Sequence, residues 1–244
     1  MKNNRCKRLL LSVCAVCLSA FTLAPQCAAF STDTHHYVTD VSLGIVDNVK
    51  HDECSILSDE NVKEKIIYFS KRPDVDENDG LFMWHYYNPI TERNFVNGKV
   101  TALTKFNDHY SNALKSYKNK NMDKTWEELG RSLHFLEDIN TPVHTNSQDI
   151  IDVASYLSLH LKFESFVLEN QDKTKISMMP SEFIYFKQNT PTLIAKKYAH
   201  ISANNFYALY NDLETQDEVA ANSLANAQEC TSGILYKFCK QVKS

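Results

Sequence analysis

Apolar side chains return every third or fourth residue along much of this chain, and that spacing commits it to helices. Val100, Leu103, Phe106, Tyr110, Ala113 and Tyr117 follow this rhythm, as do Trp126, Leu129, Leu133 and Leu136. Residues 36–49, 60–70, 150–171, 190–212 and 217–241 also read as helices. Strand signals are few, and only five glycines occur in 244 residues. Breaks fall at RPDVDENDG, YYNPITERN, NKNMD, NTPVHTNSQ and MMPSE, each rich in turn residues. The expected fold is one all-α domain of about seven to nine helices.

The N-terminus has a different character. MKNNRCKR is basic, LLLSVCAVCLSAFTLA is apolar, and the small residues of PQCAA precede Phe30. This is the pattern of a secretory signal peptide over residues 1–29, leaving 30–244 as the domain. The apolar run of about 16 residues is shorter than the roughly 20 needed to span a bilayer. The mature chain is therefore expected to lack a transmembrane segment and to be exported to the periplasm or beyond.

Cleavage removes four basic residues and leaves 22 basic against 30 acidic side chains, a net charge of −8. That is a poor footprint for gripping long nucleic acid, where basic patches supply most of the affinity. Cys54, Cys230 and Cys239 remain after cleavage. Cys230 and Cys239 are nine residues apart, about 13 Å on a straight helix and too far to bridge. In an oxidising compartment a disulfide from Cys54 to one of these two is expected.

The chemistry concentrates in GRSLHFLEDINTPVHTNSQDIIDVASYLSLHLKFESFV, residues 130–167. His134 and Asp138 are four apart, as are His160 and Glu164. On a helix each pair shares a face and offers two metal ligands from one rigid element. His144 follows Pro142 between them, and PDVDENDGLFMWHYYNP adds Asp74, Asp76 and His85 upstream. FSTDTHHYV supplies His35 and His36. Imidazoles and carboxylates converging on one cavity are the makings of a zinc site. His51, His109 and His200 read as structural or surface residues. Gly130 lies one turn before His134, where a mid-helix glycine costs about 1 kcal/mol. Close approach of another backbone would account for it.

Residues LHFLEDINTPVHTN, HLKFESFV and PDVDENDGLFMWHYYNP resemble the bacterial zinc-dependent phospholipase C family, within a superfamily that also holds fungal zinc-dependent single-strand nucleases. The resemblance implies three zinc ions. Asp74, His85, His134 and Asp138 would hold one, with Asp74 favoured over Asp76. His144, His160 and Glu164 would hold a second. His35, preferred to His36, would hold a third with Asp138 as a bridge and the amino and carbonyl groups of Phe30. The implied reaction is attack of a zinc-activated hydroxide on a phospholipid at a membrane surface, giving diacylglycerol and a phosphorylated head group, with Asp74 as general base. Phe82 and Asp33 are candidates for head-group contact. A monomer without a stable nucleic-acid partner is expected. The alternatives are a single-strand nuclease or 3′-nucleotidase using the same metals, and a non-catalytic metal-binding protein. The H-x3-E spacing and the negative charge favour the lipid substrate, whereas the short Phe30–His35 spacing resembles the nuclease branch.

Overall fold

The structure is a computed structural model that describes residues 31–77, 79–80, 82–145 and 153–243. Residues 1–29, where a signal peptide is expected, and Phe30 lie outside the described residues. Among the described residues nine α-helices follow one another. They are α1 (Thr32–Cys54), α2 (Glu60–Ser70), α3 (Pro73–Asp76), α4 (Ala102–Lys118), α5 (Met122–Ile139), α6 (Val153–Asn170), α7 (Phe183–Gln188), α8 (Pro191–Asn211) and α9 (Gln216–Val242). An isolated bridge between Asn88 and Arg93 is the single β feature among them. The chain is all-α, as the periodicity requires.

Local chemistry sets the helix ends. Thr101 and Thr104 form a reciprocal capping box at the start of α4. Asn119 and Lys120 end that helix, Lys120 with φ 59°, and Asn121 caps α5 through a bond from the Lys124 N–H. So short a link makes α4 and α5 neighbours. Helix α1 starts before residue 36, the first position that the apolar rhythm marks. The Ser31 hydroxyl accepts from Thr34 N–H at 3.3 Å, and Asp33 sits in the first turn. That extra turn puts His35 on a rigid helix. A kink at Lys50 (φ −132°, ψ 25°) bends the far end of α1.

Two apolar clusters fill the interior. The first gathers Val41, Ile45, Phe106, Leu129, Leu133, Phe135 and Leu136 with Ile234 and Phe238 of α9. The second joins Val38, Tyr86, Val143, Tyr156, Phe163, Phe206 and Leu224. Helix α9 lies along α1 and α8, and α2 lies on α5. At the α2–α5 crossing a Cβ built on Gly130 would stand 2.5 Å from the Ile66 carbonyl oxygen and 2.7 Å from Phe69 Cβ. The close backbone approach inferred from the sequence is therefore present, and it explains the glycine.

The disulfide expectation is not met: Cys54, Cys230 and Cys239 are all free and buried. Cys54 and Cys239 are close enough to hydrogen-bond, and burial followed by the Cys54 contact raises the Cys239 thiol far above its usual range. Oxidation proceeds through the thiolate, which this apolar setting suppresses.

Candidate metal centre

Four segments carry the titratable side chains inward. Helix α5 contributes His134 and Asp138, one turn apart on one face. Its last turn closes at Asn140, and Thr141 turns extended (φ −93°, ψ 115°), as a residue before proline must. Pro142 then opens a 3-10 turn, Pro142–His144, that swings His144 back toward the cluster. Helix α6 brings His160 and Glu164. The short helix α3 begins with Pro73 and presents Asp74, and the Met83–His85 turn delivers His85. Helix α1 brings His35.

All eight of these side chains are buried. His85 Nδ1 lies 2.9 Å from Asp138 Oδ2 and 3.8 Å from Asp74 Oδ1. His134 Nε2 lies 3.1 Å from His85 Nδ1, and 3.5 Å from both Asp74 Oδ1 and Asp138 Oδ2. His144 Nε2 lies 3.3 Å from His160 Nε2 and from Glu164 Oε1, and His160 Nε2 lies 2.7 Å from the same oxygen. His35 Nε2 stands 3.7 Å from Asp138 Oδ1, its ring stacked on His134 at 4.0 Å. Three ligand groups result: His35 with Asp74 and His134, His85 with His134 and Asp138, and His144 with His160 and Glu164, each spanning no more than 4.8 Å.

The structure places the alternative candidates differently. His36 is exposed while His35 is buried in the cluster. Asp76 turns away to Arg72 and Arg131, leaving Asp74 at the histidines. Phe82 is half-buried with its ring 5.6 Å from that of His85, and it takes a left-handed backbone (φ 58°). Asp33 is exposed in the first turn of α1, outside the buried cluster. Phe30 cannot be compared, since it lies outside the described residues. His51 and His200 are exposed, and His109 is held between Glu77 (2.8 Å) and Glu128 (2.6 Å).

The electrostatics favour a cation. Burial pushes His35 and His134 well below the ordinary imidazole range, and neighbouring histidines push them further. Neutral imidazole is the metal-ligating form. Burial also pushes Asp74 and Asp138 well above the carboxylate range. Burial would raise Glu164 too, but His160 and the bonds from both histidines bring it lower. Both oxygens of Asp74, Oδ1 of Asp138 and Nε2 of His85 are buried without a hydrogen-bond partner. Buried polar atoms are rarely left so unless something else satisfies them. A mixed nitrogen and oxygen donor set fits a divalent ion of the zinc class.

Sequence reasoning missed four supports. Ser70 offers its carbonyl to His134 Nδ1 at 2.8 Å, and His85 offers its own to His144 Nδ1 at 2.9 Å. Tyr86 stacks on His144 at 4.5 Å and shares a hydrogen bond with His160 Nδ1 at 3.1 Å. Glu137, fully buried, holds His35. Only Glu137 left a signal in the sequence. It is an acidic residue inside the apolar run LHFLEDI, and buried charges are paired.

The comparisons with known proteins agree. No protein-family model matches the chain. A phospholipase C of Paraclostridium bifermentans is 25% identical over 87% of this chain and 60% of its own length. A phospholipase C of Clostridium perfringens is 26% identical over 99% of this chain and 68% of its own. The alpha toxin of Clostridium absonum superposes with a TM-score of 0.76 at 22% identity, covering 86% of this chain and 64% of the toxin. In sequence the chain is similar to bacterial phospholipases C, and in fold to a clostridial alpha toxin. It spans about two thirds of the length of the clostridial phospholipases C it matches. Among the described residues no helix is long and apolar enough to cross a membrane.

Proposed function

We propose that this chain is a secreted, metal-dependent phospholipase C that cleaves the glycerol–phosphate ester of a phosphatidylcholine-type lipid. The observation that carries the reading is the convergence of three buried His/carboxylate groups, in a chain whose relatives bear the name phospholipase C. Asp74, His85, His134 and Asp138 would hold one zinc ion. His144, His160 and Glu164 would hold a second. His35, Asp138 and the main-chain groups of Phe30 would hold a third. Such ions, when bound, lower the pKa of coordinated water and offset charge building on the phosphate.

The protein's own groups do the rest. Asp74, its oxygens free of hydrogen bonds, takes the proton of the attacking water. The water oxygen bonds to phosphorus, the bond from phosphorus to the glycerol oxygen breaks, and the proton taken up by Asp74 passes to that oxygen, releasing diacylglycerol and the phosphorylated head group. Ser70, Tyr86 and the His85 carbonyl fix the imidazoles, so little reorganisation accompanies the reaction. Phe82 offers an aromatic face to a quaternary ammonium head group, with the exposed Asp33 as a counter-charge.

The test is zinc content of the mature protein beginning at Phe30, with hydrolysis of phosphatidylcholine vesicles and of single-stranded DNA, each with and without chelator. About three zinc ions per chain and chelator-sensitive release of diacylglycerol are expected. Cleavage of DNA alone would reassign the site to a nuclease. Bound metal with neither activity would make it a non-catalytic binding protein.

A further inference from the structure

Four site histidines turn one ring nitrogen away from the cluster, and their outer partners are not equivalent. His134 bonds the Ser70 carbonyl, His144 bonds the His85 carbonyl, and His160 meets the Tyr86 hydroxyl. His35 alone of these four has a carboxylate: its Nδ1 lies 2.6 Å from Glu137 Oε2. The other Glu137 oxygen accepts from the Thr39 hydroxyl at 2.8 Å. Thr39 is one turn beyond His35 on α1, so a single helix face engages both oxygens. All three side chains are fully buried.

Resting on the metal-centre reading above, we infer that Glu137 is a positioning residue that makes His35 the strongest imidazole donor of the site. It thereby secures the ion shared by His35 and Asp138. A carboxylate on Nδ1 fixes the proton there and leaves Nε2 as the ligating atom, with greater basicity than a carbonyl or hydroxyl partner confers. Nε2 stands 3.7 Å from Asp138 Oδ1, which has no hydrogen-bond partner. Two ligands each about 2 Å from one ion would be separated by a comparable distance. His85 and His134 are supported by two aspartates, and His144 and His160 by Glu164. His35 Nε2 faces Asp138 Oδ1 at 3.7 Å, and the other oxygen of Asp138 is engaged by His85.

The experiment uses the full mature chain and zinc alone. Bound zinc is counted by elemental analysis after equilibration in a series of chelator-buffered free-zinc solutions, for wild type, Glu137→Gln and Thr39→Val. Gln keeps the size and a hydrogen-bond acceptor but not the charge, so a merely structural Glu137 would leave zinc binding unmoved. Expected is one ion bound about 10- to 100-fold more weakly in Glu137→Gln, with the others at wild-type affinity. Thr39→Val should shift the same ion less. Coincident isotherms for wild type and Glu137→Gln would overturn this inference alone. A wild-type chain that takes up no zinc would overturn the metal-centre reading together with it. Nitrogen-15 histidine spectra of the zinc-loaded wild type give a readout that no variant's folding can obscure. The His35 proton is expected on Nδ1, and a proton on Nε2 overturns the proposal.

Discussion

The Nδ1–H of His134 donates to the main-chain carbonyl of Ser70 at 2.8 Å. The residue that permits this is Gly130, one turn earlier on α5, where the backbone of α2 leaves no room for a Cβ. The orientation of a candidate ligand is thus set by a helix crossing, and the crossing by the absence of one methyl group. Gly130→Ala should force α2 outward. Overpacking costs about 1–3 kcal/mol, and the gain in helix propensity recovers about 1 kcal/mol of that. Urea unfolding of the two proteins measures the net loss, with lipid hydrolysis falling as His134 loses its anchor. Gly44 on α1 has nothing within 4 Å of a built Cβ, so Gly44→Ala should instead stabilise by about 0.5–1 kcal/mol.

His35 and His36 are adjacent in sequence and opposite in exposure. His35→Ala should remove one bound zinc ion and lipid hydrolysis together. His36→Ala should leave both intact, with stability within about 0.5 kcal/mol of wild type. Zinc content and diacylglycerol release decide between them. Equal effects would displace His35 from the centre.

Tyr86 supports the His144, His160 and Glu164 group in two ways, by stacking on His144 with rings 5° from parallel and by its bond to His160. Tyr86→Phe keeps the stack and deletes the bond. Zinc affinity at the His144, His160 and Glu164 position should fall about tenfold or more while the fold is kept. Competition with a colorimetric chelator measures the affinity, and circular dichroism the fold.

His109 ties α4 to Glu77, just after α3, and to Glu128 on α5, and this has a pH signature. Burial would raise Glu77, but the bonds from His109 and Lys105 bring it down to about 2. Its contribution is complete above the unfolded glutamate value of about 4.3 and is lost as pH falls through the folded value. Burial alone would lower His109, but Glu128 and Glu77 outweigh it and raise the imidazole above its ordinary range. That contribution is complete below about pH 6.5 and is lost as pH rises through the folded value. The difference in Tm between metal-free wild type and His109→Gln should therefore peak between about pH 4.5 and 6.5. It should shrink on either side. A difference independent of pH would mean that His109 acts only by packing on Phe135, whose ring it stacks against 4° from parallel.

The sequence alone was enough for the helical class, since a 3.6-residue apolar rhythm and scarce glycine leave little else to build. It also held the i,i+4 pairs His134–Asp138 and His160–Glu164 and the Pro142 turn, because those depend on spacing within one element. It even flagged Gly130, because a costly residue in a helix invites a reason. What it did not hold were the relations between elements. Tertiary packing decided that His35 rather than His36 faces inward, because an added first turn on α1 fixes which side of the helix meets α5. It turned Asp76 toward arginines and left Asp74 at the histidines. It kept Cys54, Cys230 and Cys239 as buried thiols where sequence reasoning expected a bridge. It also paired Glu137 with His35 across 102 positions of chain. Local periodicity carries no information about a contact so distant; only the closing of α1 against α5 brings those two atoms together.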